Sequence, residues 1–346
     1  MTRRLDLASG ALMGDPVTLA DRVGVAGTAG GFAVSGAGLV AYRTGGDASR
    51  QLMWFNRTGT AVGKAGEPDP SAPGIPELSP DGRRVAIMRT VQGNALDIWL
   101  LDLLRGGMTR LTFDAAADID AVWSPDGMRL AFASNRTGPF NLYVKASNGS
   151  GAEARLVDSA NTVIPQDWSR DGRWLLYYET HPTTGRDLWA LDMTSRGLTP
   201  RVVANTPAQE VLAQFSPDGR WVTYQTNESG RFEVVVQPFP EAGGKWQVST
   251  AGGVAPRWRA DGQELYFLAP DATMMAVPVT AAGATFAAGT PVALFPSRIR
   301  GGGSLATDRP PYDVARDGRF LINQPVADAT AAPITLILNW QPDAKK

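Results

Sequence analysis

The chain has 346 residues, of which 43% are hydrophobic and only 19% charged, with a formal net charge of −1. That balance supplies a large core and removes the basic footprint of a nucleic-acid binder. No cysteine is present, which excludes disulfides, thiol chemistry and thiolate metal sites.

At the N-terminus, MTRRLDLASGALMGDP lacks the apolar core of a secretion signal. No run approaches eighteen apolar residues, so no membrane-spanning helix is expected. Residues 1–13 read as a loose tail, and Pro16-Val-Thr-Leu-Ala20 as a strand. From there a turn signal repeats: Leu78-Ser-Pro-Asp-Gly82, Trp123-Ser-Pro-Asp-Gly127, Trp168-Ser-Arg-Asp-Gly172, Phe215-Ser-Pro-Asp-Gly219, Trp258-Arg-Ala-Asp-Gly262 and Val314-Ala-Arg-Asp-Gly318. Val34-Ser-Gly-Ala-Gly38 is a worn seventh copy. Proline presets φ for a type I turn, aspartate bonds the local backbone, and glycine accepts φ > 0.

The aspartates Asp81, Asp126, Asp171, Asp218, Asp261 and Asp317 stand 45, 45, 47, 43 and 56 residues apart. Each turn is flanked by short apolar strands such as Leu130-Ala-Phe132 and Leu142-Tyr-Val144. A period in the mid-forties with four strands per repeat predicts an all-β propeller. Seven blades within residues 14–340 fill the chain, or six if the first repeat is only a latch. The last blade runs out of chain after Ile334-Thr-Leu-Ile-Leu338, so the Pro16–Ala20 strand is expected to complete it. Gln51-Leu-Met-Trp-Phe55 reads as the third strand of the first blade, Gly301-Gly-Gly-Ser304 as a loop, and 341–346 as a second tail.

Chemistry is sparse. The one histidine, His181, sits in a turn, and no Gly-x-Ser-x-Gly elbow accompanies it, which excludes a serine-hydrolase triad. Gly59-Thr-Ala-Val-Gly-Lys64 is too short for a phosphate loop, and prolines follow Gly301–Ala306 where a dinucleotide fingerprint needs a helix. Asp114, Asp118 and Asp120 form a weak calcium candidate of hard oxygen ligands. No cofactor is expected. The six repeated aspartates read as structural turn residues, and the Trp or Phe before them as packing between blades.

One pattern points elsewhere. The residue preceding each turn-anchoring hydrophobe is Ala33, Glu77, Val122, Asp167, Gln214, Arg257 and Asp313 in turn. A position sandwiched between blades should be apolar, yet five of these seven are polar. Glu77, Asp167, Gln214, Arg257 and Asp313 are therefore expected to ring the channel near one mouth, mostly acidic with Arg257 opposing. The competing reading makes them ordinary polar links between adjacent blades.

The Ser-Pro-Asp-Gly hairpin, with its Leu-Ala-Phe and Asp-Leu-Trp strands, resembles the TolB-like propeller repeat, a relative of WD repeats. Asp97-Ile-Trp-Leu-Leu-Asp-Leu103, Val236-Gln-Pro-Phe-Pro240 and Pro333-Ile-Thr-Leu-Ile-Leu-Asn-Trp340 are similar to the propeller region that follows the kinase domain in certain bacterial transmembrane Ser/Thr kinases. That resemblance implies an extracytoplasmic sensing or interaction module and carries no catalytic residue. The expectation is a monomeric, non-catalytic module that binds a protein or a small molecule, with no nucleic-acid partner and no membrane insertion. The alternative is a metal-dependent lyase or hydrolase working through the channel carboxylates.

Overall fold

A computed structural model describes residues 2–5, 12–17, 25–26, 29–30, 32–35, 39–43, 49–69, 71, 75–90, 96–241, 243–282, 285–299, 310–326 and 334–337. Its contacts divide the chain into two compact units, 50–324 and 1–49 with 325–346. All of the secondary structure among the described residues is β or turn, and no helix there is long and apolar enough to cross a membrane.

The larger unit holds six antiparallel sheets. The first is Glu77–Leu78, Arg84–Thr90, Leu96–Asp102 and Met108–Arg110. The second runs from Asp118–Trp123 to Ala154–Arg155, the third from Val163–Trp168 to Pro200–Ala204, and the fourth from Glu210–Phe215 to Trp246–Gln247. The fifth begins with Val254–Trp258 and carries an extra strand on Thr273–Ala282. The sixth joins distant parts of the chain: Tyr312–Val314 and Phe320–Pro325 pair onward with Arg50–Phe55 and Ala61–Asp69. The first strands of the six sheets neighbour one another in a cycle, the sixth returning to the first.

Two expectations about closure are corrected. The strand at Leu12–Val17 pairs with Thr2–Leu5 in the smaller unit and does not complete the last sheet. Residues 1–13 therefore contain paired strands, while Ala20, 301–304 and 341–346 lie outside the described residues. Ile334–Ile337, expected beside Phe320–Pro325, pairs instead with Val40–Arg43, and Gln51–Phe55, expected in the first blade, stands beside Phe320–Pro325. The physical reason lies in burial. A third strand is covered on both faces: Leu52 and Trp54 are buried in one seam, and Phe55 packs against the other. Gly14-Asp15-Pro16 offers no such surface, and proline lacks the ladder donor. The hairpin beside the worn turn, Phe32–Val34 with Val40–Arg43, sits in a separate three-stranded sheet of the smaller unit, so the described residues hold six sheets of four or five strands and not seven.

Between successive sheets lie apolar seams. Val85, Ile87 and Leu101 pack with Leu52 and Leu321, while Ala86, Ile98 and Leu100 pack with Trp123, Leu130 and Phe132 on the other face of the same sheet. Alternation of side chains across the pleat is what lets one strand feed two seams. Each of the larger aliphatic side chains and Phe132 contributes about 1.5–3 kcal/mol by leaving water. Arginines following the turns extend the seams: Arg84 stacks on Trp123 of the next sheet at 4.6 Å, and Arg129 on Trp168 at 5.1 Å.

The turns are built as their residues require. Gly82 Nα donates to the Ser79 carbonyl at 2.8 Å, and Gly127 to Ser124 likewise. Both glycines adopt φ near +70°, where a Cβ would be strained. Asp81 Oδ1 accepts from Ser79 Oγ at 2.6 Å and from the Arg83 amide at 3.1 Å.

Candidate functional site

Just before each turn, the first strands of the second to fifth sheets are bulged. Register slips between Ile119 and Val122, Pro165 and Asp167, Val211 and Gln214, and Val254 and Arg257. Asp120, Leu212 and Ala255 carry φ near +55°, a conformation costing about 1–3 kcal/mol for a non-glycine residue. Bulges re-aim the side chains that follow them. Here those side chains include Asp167, Gln214 and Arg257.

At the turn end of the larger unit is a cavity of about 540 Å³, lined by Glu77, Asp167, Gln214 and Asp313 together with Trp54, Trp123, Trp168 and Trp258. Arg257 completes the constellation from a position only 2% exposed: its Nη2 lies 3.2 Å from Glu77 Oε2, and its Nε 3.8 Å from Asp313 Oδ1. The structure thus brings together all five polar residues singled out from the repeat. Val122 is buried in the seam between the second and third sheets, and Ala33 lies in the smaller unit.

The same side chains also link neighbouring sheets. Asp313 Oδ2 accepts the Leu78 amide at 2.7 Å, Asp167 Oδ2 the Phe215 amide at 2.7 Å, and Gln214 Oε1 the Trp258 amide at 2.7 Å. Each acceptor reaches the residue just past the equivalent position in the next sheet. Cavity lining and inter-sheet linkage therefore coexist in one residue.

Burial dominates the electrostatics. It pushes the Asp167 carboxyl up to about 7, against the Phe215 amide and the Arg257 charge, which hold it down. Burial, and then the charge of Glu77, push Asp313 up to about 6. Burial also works against the Arg257 cation, and the charges of Glu77, Asp313 and Asp167 more than offset it.

Above this ring, at the second position of the turns, stand Arg170 and Arg316. Both line the cavity and both are exposed. Arg170 leaves the third sheet, passes the fourth and donates Nη2 to the Ala260 carbonyl of the fifth at 3.0 Å. Burial and the nearby Arg316 cation push it below the usual arginine value, and Asp167 opposes them. Among the described residues no carboxylate pairs with Arg316. Sequence reading passed over these two arginines, although both stand where the other repeats carry Pro80, Pro125, Pro217 or Ala260.

The weak calcium candidate does not form. Asp118 Oδ1 receives the Arg136 guanidinium at 2.9 Å, Asp114 accepts the Ala116 amide, and Asp120 belongs to a bulge. Arg136 supplies the positive charge a metal would bring, and no cluster of three metal-ligating side chains occurs among the described residues. His181 is exposed beside Thr183 Oγ1 at 2.9 Å. The six turn aspartates stay on their own hairpins; the side chain of Asp261, for example, accepts from Arg259 and from the Gln263 amide.

Residues 67–187 match the family described as the TolB beta propeller domain. An uncharacterized peptidase of Bacillus subtilis, YuxL, is 26% identical over 191 residues, covering 44% of this chain and 29% of that protein. The chain thus spans less than a third of that relative's length. Among solved structures, a putative TolB from Agrobacterium tumefaciens superposes with a TM-score of 0.61 at 18% identity, over 81% of this chain and 99% of that one. TolB from Acinetobacter baumannii gives 0.54 at 14% identity, over 84% of this chain and 66% of that one. The family match and the shared fold together support a TolB-like β-propeller.

Proposed function

We propose that this chain is a non-catalytic binding module, a six-bladed propeller that takes a protein segment or small ligand at the cavity on its turn end. The observation that carries the reading is the cavity itself: polar side chains from four sheets, charged in three of them, converge on a space of about 540 Å³, within the range of ordinary ligand sites. The likeness to TolB-like propellers favours a binding role, although fold alone does not fix function. The similarity of several strands to kinase-linked propellers adds an extracytoplasmic sensor as the setting.

A lyase or hydrolase acting through the channel carboxylates is the second reading. Asp167, titrating near 7, has the proton affinity of a general acid or base, and one relative carries the name peptidase. Against a metal-dependent version stands Arg257, whose guanidinium takes up the space between Glu77 and Asp313.

Photo-cross-linking in the source cells tests the binding role. Benzoylphenylalanine replaces Ala260 at the mouth in one variant and Thr183, beside His181, in another. The binding role predicts one discrete adduct from the mouth position alone. Equal labelling from both positions, or none from either, overturns it.

A further inference from the structure

Two hairpins of the chain are equivalent, and so are two third strands. Phe32–Val34 with Val40–Arg43, and Tyr312–Val314 with Phe320–Pro325, are each a first and second strand around a copy of the repeated turn. Arg50–Phe55 and Ile334–Ile337 are the third strands, and each lies on the hairpin remote from it in sequence. The sheet of the smaller unit is thus built like the first three strands of a repeat: Val34, Val40 and Ile337 stand opposite one another as Trp123, Leu130 and Lys145 do in the second sheet.

Returning each third strand to its own hairpin leaves the number of strand pairings unchanged. Arg50–Phe55 then lies on Val40–Arg43, across six intervening residues, and Ile334–Ile337 on Phe320–Pro325, across eight. Pairing between sequence neighbours is the commoner arrangement, and short links cost little closure entropy. Ala61–Asp69 follows Arg50–Phe55 in either arrangement, which retains the seam of Leu52 and Trp54 with Val85, Ile87 and Leu101. Phe32, Val34, Ile334 and Leu336, each at least 55% exposed in the smaller unit, gain seams to enter.

The mouth is what differs. Asp313 Oδ2 holds the Leu78 amide because Tyr312–Val314 adjoins Glu77–Leu78, and the same closure sets Arg257 Nη2 3.2 Å from Glu77 Oε2. With Phe32–Val34 inserted between those strands, Ala33 takes the ring position without a side-chain acceptor, and Asp313 is parted from Leu78. We propose that the chain exchanges between two closures, six sheets with the mouth assembled and seven with it taken apart, by swapping Arg50–Phe55 and Ile334–Ile337 between the two hairpins. This rests on the binding-module reading and supplies its regulation, because a ligand of the assembled mouth selects the six-sheet closure.

The chain has no cysteine, so introduced thiols report the closure directly. Full-length protein carrying Tyr42→Cys, Met53→Cys and Thr335→Cys is equilibrated in glutathione redox buffer, and its disulfides are mapped by mass spectrometry. Tyr42 stands opposite Thr335 in the six-sheet closure. In the seven-sheet closure it stands opposite Met53, as Phe132 does opposite Tyr143. Both bonds are expected, the one between positions 42 and 53 making up at least about a tenth of the total. Glu77→Gln removes the ion pair peculiar to six sheets and should raise that share at least about twofold, while circular dichroism reports the same fold. A bond to position 335 alone in both backgrounds, or a share that Glu77→Gln leaves unchanged, overturns the proposal. If the exchange fails while the Ala260 cross-linker still captures one discrete species, the closure is fixed and the binding module stands. If the exchange is seen and the cross-linker captures nothing, the module falls and the two closures stand.

Discussion

The ring and the turn tips stand four positions apart along each repeat, yet the two regions treat the carboxylate in opposite ways. At the turn tips the carboxylates are exposed and surrounded by donors. Hydrogen bonds from Ser79 and Ser124 hold Asp81 and Asp126 below the usual range, and Arg259 brings Asp261 down to about 2. In the ring, burial outweighs the donors, and Asp167 and Asp313 rise to about 7 and 6. Desolvation penalises the charged form and donation stabilises it, so the balance falls one way at these tips and the other way in the ring. The tips spend their aspartates on local backbone geometry; the ring keeps partly uncompensated charge facing a cavity.

The largest effect should come from removing the cation that makes the ring tolerable. Arg257→Ala leaves Glu77 and Asp313 without their guanidinium, a loss of about 3–5 kcal/mol for a broken buried pair. Urea unfolding at pH 7.5 measures it. The loss should shrink at pH 5, where Asp313 holds a proton. A loss under about 1 kcal/mol at pH 7.5 would mean that solvent already screens the ring.

A smaller effect should follow from Asp167→Asn, which retains the acceptor for the Phe215 amide and removes the charge. The folded carboxyl keeps its proton to about pH 7, while the unfolded one releases it near 4. Folded protein therefore binds more protons across that window, and parent stability falls as pH rises through it. The variant should match the parent near pH 4 and exceed it at pH 8, with a flatter slope between. An unchanged slope would place the titration on Asp313 alone.

These contrasts also separate what the sequence carried openly from what it did not. The turn repeat was legible because φ near +70° selects glycine at Gly82 and Gly127, and an Asx-type bond selects aspartate two residues into the turn. The ring was legible as polar residues at positions that packing would make apolar. Closure was not, because pairing Gln51–Phe55 with Phe320–Pro325 is a contact between distant segments, and several strands carry similar apolar patterns. The arginines at the mouth were hidden too: Arg170 and Arg316 matter through the cavity they line, and locally each is only a turn without its proline. Asp118 misled for a related reason, since Arg136 comes from the next strand's end and neutralises it in space.

The smallest effect belongs to the tips, and its pH dependence should run the other way. Asp126→Ala removes an acceptor that serves Ser124 Oγ and the Met128 amide, the latter at 2.9 Å. The groups are exposed, so the loss should be about 1 kcal/mol at pH 7. Because the folded-state carboxyl is held below its unfolded value, its contribution is present above about pH 4 and disappears as pH falls through the folded pKa. The gap between parent and variant should therefore close under acid conditions, where the gap produced by Asp167→Asn also vanishes, and persist at pH 8 with opposite sign. Denaturant titrations of the two variants at pH 3, 5 and 8 check this. Should both gaps carry the same sign at pH 8, the distinction between tip and ring would not rest on desolvation.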